Sequence, residues 1–303
     1  MGMNHQPALH TRDHHPQIHT LGSRAHQLLR QPKQGKLIGV SSRGYFVRLL
    51  SDWVVFISKE TYQGPLTLNL EGGFAPLNQP NAGDPVRFTN EAINFPATGW
   101  TIHSATPKVW APQPASASIL PLNERRQRLA WVVERALARR TSSPFSAWLS
   151  WLVNLPATPP TKDEDLWGRL LALQSAFRDQ DPGKISSRLS ALLGWGSGLT
   201  PNGDDLSIGL LLALRRWGDR LNPELVLSEI SPGLIASAYR TSPLLSANLI
   251  ECAAAGEADE RLLLALDSLV SGQASRENCL EALLGWGYSS GLDVLCGMAF
   301  IIA

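Results

Sequence analysis

The spacing of apolar residues changes part-way along the chain, and this change predicts two kinds of structure. Between residues 36 and 110, apolar side chains fall in short runs rich in β-branched and aromatic residues, separated by turn residues such as Gly, Asp and Asn. Such runs predict strands. The predicted strands are 36–40, 45–50, 53–58, 66–70 and 85–89. Short strands at close spacing are typical of a small antiparallel barrel or sandwich.

Residues 107–121 form a connector rich in Pro, Ala and Ser, and after it the apolar spacing becomes helical. The predicted helices are 123–140, 145–153, 164–178, 185–193, 204–217, 223–239, 245–255, 260–270, 276–284 and 292–302. The sequence therefore predicts an α+β chain with an N-terminal β barrel or sandwich followed by an all-helical domain. We expect a flexible tail at 1–20, a β-rich domain at 21–115 and a helical domain at 120–303.

Composition narrows the class of protein. Hydrophobic residues make up 44% of the chain and charged residues 17%, which favours a folded globular protein over a disordered one. The net charge of +1 gives no reason to expect a nucleic-acid partner. Apolar runs fall short of the roughly 20 residues that span a bilayer, and no signal peptide is recognisable. We therefore expect a cytoplasmic protein without membrane contact, in which Cys252, Cys279 and Cys296 are free thiols.

An internal repeat is the most informative feature of the helical half. The pentapeptide Leu-Leu-Gly-Trp-Gly at 192–196 recurs at 283–287. Each copy is followed by a loop and a new apolar segment, which opens with Asn-Gly-Asp-Asp at 202–205 and with Ser-Gly-Leu-Asp at 290–293. The pattern predicts two related helix–loop–helix units.

Helix capping explains part of this repeat without any ligand. Asn202 and Ser290 are good N-cap residues, and Asp205 and Asp293 stand three positions later, where a carboxylate can reach back to the cap. Capping leaves Asp204 and the glycines of the first loop unexplained.

The functional interpretation is a binding site for a small anionic substrate. Glycines expose backbone amides, and the start of the following helix attracts anions. Asp204 and Asp205 form the candidate catalytic pair, which would bind a Mg²⁺-like ion or orient an amide nitrogen; Mg²⁺ is the one cofactor we consider. Arg240 is the candidate charge partner of the anion. The candidate substrate-binding residues are Gly196, Gly198, Thr200, Asn202, Gly203, Arg240, Thr241, Ser246, Ser290, Gly291 and Asp293.

The segment Gly-Trp-Gly-Ser-Gly-Leu-Thr-Pro-Asn-Gly-Asp-Asp at 194–205 is similar to the signature block of a poorly characterised bacterial family. One member of that family is a subunit of the oxamate carbamoyltransferase complex of allantoin degradation, a branch of purine catabolism. Thr241-Ser242 with Ser246-Ala247, and the residues 290–293, resemble later blocks of the family. The chain differs from the block at Trp195, Ser197 and Asn202. The resemblance implies a carbamoyltransferase subunit, with carbamoyl phosphate and oxamate as substrates and further subunits as partners.

Two other functions stay open on the sequence. The chain lacks an evident nucleophile, which suits a non-catalytic scaffold whose active site lies on another subunit. Alternatively, Asp204, Asp205 and Asp293 could be the oxygen ligands of a metal-dependent hydrolase acting on a small amide or phosphate.

Overall fold

The structure is a computed structural model, and it describes residues 16–31, 33–71, 79–104, 106–139, 143–155 and 164–303. Residues 1–15 of the predicted tail lie outside the described residues, and the first strand begins at Gln17. The chain divides into two compact units. One holds the described residues up to Leu50 together with Val55–Thr61 and Leu66–Val109, and the other holds Ser51–Val54, Tyr62–Pro65 and Trp110–Ala303.

The first unit is a closed β barrel. Its strands are β1 (Gln17–Gly22), β2 (Lys33–Ser41), β3 (Gly44–Leu49), β4 (Val54–Ser58), β5 (Thr67–Glu71), β6 (Pro85–Phe88), β7 (Ala92–Phe95), β8 (Trp100–His103) and β9 (Lys108–Trp110). The strands follow the order β5-β4-β3-β2-β6-β7-β8-β1-β9, and the pairing of β5 with β1 closes eight of them. A short helix, α1 (Ser23–Leu28), follows β1 directly.

The predicted antiparallel arrangement is wrong for two strand pairs. β4 pairs with β5 in parallel, and β1 pairs with β8 in parallel. The connection after β4 spans residues 59–66, which is long enough to return the chain to the end of the sheet where β4 began. A two-residue hairpin, by contrast, joins β2 to its antiparallel neighbour β3.

Alternation of buried and exposed side chains explains why these segments form barrel strands. In β3, Tyr45, Val47 and Leu49 are buried and Arg48 is exposed. The ring of Phe95 lies 6.0 Å from that of Tyr45 and 4.9 Å from that of Trp100, so an aromatic cluster fills part of the interior.

The second unit is helical in the part of the chain that the structure describes. Its helices are α2 (Leu122–Arg139), α3 (Ser146–Leu152), α4 (Glu164–Arg178), α5 (Pro182–Ser190), α6 (Asn202–Ala213), α7 (Asp219–Leu221), α8 (Leu227–Thr241), α9 (Leu244–Ala254), α10 (Glu260–Ser271), α11 (Arg276–Gly285) and α12 (Ser290–Ile302). The α+β class predicted from the sequence is confirmed.

Several predicted helix boundaries are wrong, including the start of α8, which lies at Leu227 rather than at residue 223, and two of the differences have a visible local cause. α5 begins three residues early because Asp181 accepts a hydrogen bond from the Lys184 amide and Pro182 occupies the first turn. The helix predicted at 204–217 is α-helical only as far as Ala213, and Leu214–Gly218 form a π-helical turn.

α6 and α12 cross at the centre of the helical unit with their backbones in contact. Every residue of α6 after Asn202 is buried, as expected for a helix that is apolar on all sides. A Cβ atom on Gly209 would overlap the carbonyl oxygen of Val294, and one on Gly297 would overlap that of Leu206. The glycines therefore allow the close crossing that brings the starts of the two helices together.

In the segments that the structure describes, each helix is too short or too polar to cross a bilayer.

Candidate functional site

The candidate site lies where two loops lead into the crossing helices. The first loop is residues 191–201, before α6, and the second loop is residues 286–289, before α12. The Gly203 amide donates to the Trp195 carbonyl at 3.0 Å, and the Gly291 amide donates to the Trp286 carbonyl at 3.0 Å. A Cβ atom on either glycine would overlap a backbone carbonyl oxygen. Packing therefore requires both glycines, and their amides are already bonded.

The predicted capping role of Asn202 and Ser290 is wrong. The N-cap positions of α6 and α12 are Pro201 and Ser289, and neither makes a side-chain cap bond. The Asp204 and Asp205 amides both bond the Pro201 carbonyl, so the first turn of α6 needs no side-chain acceptor. Asn202 and Ser290 are instead the first helical residues, and their side chains point to acceptors far away in sequence.

Asp293 is held by donors from outside its own helix. Asn202 Nδ2 donates to Asp293 Oδ2 at 2.8 Å, and Ser143 Oγ donates to Asp293 Oδ1 at 2.6 Å. Burial raises the pKa of Asp293 to about 6, against the opposing effect of its hydrogen bonds. The carboxyl group is thus buried, fully bonded and shifted towards its neutral form.

Asp205 is the counterpart of Asp293 in the first half, and its donor comes from the loop before its own helix. Thr200 Oγ1 donates to Asp205 Oδ2 at 3.2 Å, and the hydroxyl oxygens of Thr200 and Ser290 lie 3.4 Å apart. Burial raises the pKa of Asp205 well above its usual value; Ser290 and Thr200 oppose the shift, and the charges of Asp293 and Asp204 add to it. Asp205 Oδ1 is buried and has no hydrogen-bond partner among the described residues.

Asp204 is fixed at one oxygen and unbonded at the other. Its Oδ1 accepts from the Gly194 amide at 2.8 Å and from Ser242 Oγ at 2.9 Å. Its Oδ2 is buried without a partner in the part of the chain that the structure describes, as is the Ser246 hydroxyl in the first turn of α9. Buried polar atoms are nearly always bonded, so unpartnered oxygens at Asp204, Asp205 and Ser246 call for water or a ligand donor.

The side chains of Arg240 and Thr241 form their recorded hydrogen bonds with Ser237 rather than with the carboxyl groups of the site. Arg240 is exposed and its Nη2 donates to Ser237 Oγ at 3.0 Å, and the Thr241 hydroxyl donates to the Ser237 carbonyl at 2.9 Å. Arg240 makes no ion pair with Asp204 or Asp205. The last turn of α8 uses these side chains for local bonds, because its own backbone offers the nearest acceptors.

The amides that an anion could reach lie in the first loop rather than at the helix start. Gly196 and Gly198 are exposed and have left-handed φ values of 109° and 100°. Within the described chain their N–H groups have no bonding partner, whereas the amides of residues 203–205 are all bonded. An anion would therefore contact this exposed loop, away from the buried carboxylates.

The carboxyl groups do not form a recognisable metal site. The described ranges contain no group of three or more His, Cys, Asp or Glu side chains arranged to hold a metal ion. The ligand set suggested for Mg²⁺ thus has no geometric support among these residues, and Mg²⁺ stays a prediction.

Sequence reasoning missed two serines of the site. Ser143 lies before α3 in a part of the chain without repeat or motif, so no local signal marks it. Ser242 was named as part of a segment that resembles the family and was not among the candidate site residues, but its hydroxyl bonds Asp204.

Comparison with known families bears on this same region. Residues 192–302 match the family model of oxamate carbamoyltransferase subunit AllH. This similarity covers only the later part of the helical unit. The matched segment contains the first loop from Leu192 onwards, the second loop, the crossing helices and all three aspartates, whereas Ser143 lies before it. The family resemblance seen in the sequence is confirmed. No curated protein and no solved structure matches the chain significantly.

Proposed function

We propose that the chain is a subunit of a carbamoyltransferase complex, and that Asp204, Asp205 and Ser246 bind the amide end of its substrates. The observation that carries this proposal is the AllH match over 192–302, which spans both loops. The family description names oxamate, a small carboxylate with an amide group, and the transferred carbamoyl unit also carries an amide nitrogen.

The electrostatics favour a nitrogen donor at the carboxylates. Asp204 Oδ2 and Asp205 Oδ1 are buried acceptors without partners, and Asp293 adds a third carboxyl group nearby. No Lys or Arg among the described residues is recorded in a salt bridge with these groups, so no positive side chain favours a substrate anion there. An NH₂ group, in contrast, supplies two donors to unsatisfied oxygens.

The anionic end of the substrate would then face the first loop. The exposed amides of Gly196 and Gly198 are donors without internal partners. Successive backbone N–H groups in left-handed or turn conformations are a common way to hold carboxylates and phosphates. In this arrangement the two ends of the substrate are bound by different groups, and backbone amides bind the anionic end in place of Arg240.

The chemistry requires positioning more than covalent catalysis. The amide nitrogen of oxamate forms a bond to the carbamoyl carbon, the carbon–oxygen bond to phosphate breaks, and phosphate leaves with the electron pair. The nitrogen loses one proton in the process. Asp204 is held in place by the Gly194 amide and the Ser242 hydroxyl. Its carboxylate would orient the nitrogen and accept the proton that the nitrogen loses.

The test uses a tagged chain purified from its natural host together with its bound subunits. Oxamate-dependent release of phosphate from carbamoyl phosphate is measured for wild type, Asp204→Asn and Asp219→Asn. Asp219 is an exposed residue at the start of α7 and is the matched control. We expect Asp204→Asn to lower the rate roughly a hundredfold, which is the usual effect of removing one positioned polar group. The control Asp219→Asn should keep the wild-type rate.

The scaffold hypothesis makes the opposite prediction. If Asp204→Asn leaves turnover intact in a complex that still assembles, the chemistry lies on a partner subunit. A wild-type complex without oxamate-dependent turnover would refute carbamoyl transfer to oxamate altogether. Loss of activity on chelation, restored by Mg²⁺, would favour the metal-dependent alternative.

A further inference from the structure

The barrel unit contains a cavity that plays no part in the proposed transfer site. Its volume is about 300 Å³, at the lower end of the range of small-molecule pockets. Its apolar wall is formed by side chains from four strands, namely Ile18, Leu21, Leu68, Phe88 and Ile93. All five are buried. This wall suits the apolar portion of a small molecule.

Four polar side chains line the same cavity and lack partners in the described structure. They are His26 on α1, Arg30 just after it, Asn90 in the turn between β6 and β7, and Ser104 after β8. Elements distant in sequence thus direct four hydrogen-bonding groups to one place. Convergent polar groups beside an apolar wall are the usual composition of a ligand pocket.

The charge of the cavity is of one sign. Among the described residues of its lining, His26 and Arg30 are the ionisable groups, and none of those residues carries a carboxylate. An unpaired guanidinium is best matched by a carboxylate or phosphate, which it can bond through two parallel N–H groups.

The polar edge of the cavity is built on a fixed turn. Thr89 Oγ1 accepts from the Glu91 amide at 3.3 Å and the Ala92 amide at 3.0 Å, and the Ser104 amide donates to the Glu91 carbonyl at 2.7 Å. These bonds hold Asn90 and Ser104 beside each other without using their side chains. A ligand would therefore meet groups that are already positioned.

We infer that the barrel unit binds a small organic anion, with its charged group at Arg30 and His26 and its apolar body against the buried wall. This site is separate from the transferase proposal and stands without it. Carboxylates and phosphates share the required chemistry, and the test distinguishes them.

The experiment is calorimetric titration of the purified full chain with 4-phenylbutyrate, phenyl phosphate and the neutral 4-phenylbutan-1-ol. We expect saturable 1:1 binding of at least one anion, at least about tenfold tighter than binding of the alcohol. The preferred anion identifies the class of ligand. Failure of both anions to bind, or equal affinity for the alcohol, would overturn the inference.

Variants locate the site. Arg30→Gln should weaken anion binding at least about tenfold and leave the alcohol unaffected. Arg87→Gln, an exposed arginine of β6 outside the cavity lining, is the matched control and should bind like wild type. Asn90→Trp, at an exposed position, should block both kinds of probe, with folding checked by melting temperature. Anion binding that survives both Arg30→Gln and Asn90→Trp in folded proteins would refute the assignment.

Discussion

The side chain of Asn202 reaches Asp293 Oδ2 at 2.8 Å, although the two residues stand 91 positions apart in the chain. Ser290, at the position in the second half that corresponds to Asn202, lies 3.4 Å from the Thr200 hydroxyl, which itself donates to Asp205. Polar side chains of the two halves therefore meet beside both carboxyl groups. This arrangement makes the stability of the helical unit sensitive to single substitutions there.

Replacing Asn202 with Ala should destabilise the helical unit. Asp293 would keep its bond from Ser143 but lose the donor at Oδ2, leaving a buried acceptor unsatisfied. The expected loss is about 1–3 kcal/mol in the free energy of unfolding, measured by urea titration. Asn278→Ala in the exposed first turn of α11 is the control. Equal stability of both variants would show that the Asn202 bond contributes nothing.

The glycines at the crossing of α6 and α12 should not tolerate a methyl group. Gly209→Ala and Gly297→Ala each place Cβ against a backbone carbonyl oxygen of the other helix, which cannot move as a flexible side chain can. We expect losses of about 1–3 kcal/mol or failure to fold. Gly168→Ala in α4 is the control, since nothing lies within 4 Å of its Cβ position, and it should gain up to about 1 kcal/mol. Melting temperatures of the three variants test this prediction, which is wrong if Gly209→Ala and Gly297→Ala are as stable as Gly168→Ala.

The helices were predictable from the sequence because their signals are local. α10 and α11 begin where predicted, and the side chains of Asp259 and Ser275 cap them. The strand β1 was missed because residues 17–20 were assigned to a tail, which is wrong for them. The strands β7, β8 and β9 were missed because each has only three or four residues, too few for a clear alternation. Pairing across the barrel stabilises them, and that pairing is not encoded locally.

The site was only partly predictable for a related reason. The repeat identified Asp205, Asp293, Asn202 and Ser290 as corresponding residues, but a local rule assigned them to capping. The structure satisfies the helix starts with backbone carbonyls, which frees the side chains for acceptors in the other half. Nothing in the neighbourhood of Ser143 indicates its bond to Asp293, because that contact depends on tertiary packing.

Stability should fall as the pH rises through the range in which Asp293 ionises. Burial raises its pKa from 3.8 to about 6 in the folded chain, so between these values the native state binds more protons than the unfolded state. The stabilisation is complete below about pH 4 and is lost as the pH passes about 6, by up to about 3 kcal/mol. Asp205, whose pKa is also raised, acts in the same direction.

Urea titrations from pH 4 to 8 measure this dependence. Asp293→Asn carries no ionisable group, so its unfolding free energy should vary less with pH than that of wild type. Asp219→Asn, at an exposed position, should follow the wild-type curve. Parallel curves for wild type and Asp293→Asn would show that burial does not perturb this carboxyl group.

Comparing Ser246→Ala with Ser242→Ala distinguishes a serine that binds ligand from one that stabilises the fold. The Ser246 hydroxyl is buried without a partner, so Ser246→Ala removes no internal hydrogen bond and should leave the unfolding free energy unchanged or slightly higher. Ser242→Ala removes a donor to Asp204 Oδ1 and should cost about 1–2 kcal/mol. If Ser246 serves the proposed amide site, Ser246→Ala should still weaken oxamate binding to the purified complex, measured by calorimetry. Unaltered binding together with unaltered stability would remove Ser246 from the site, whereas a large loss of stability would give its hydroxyl a structural role.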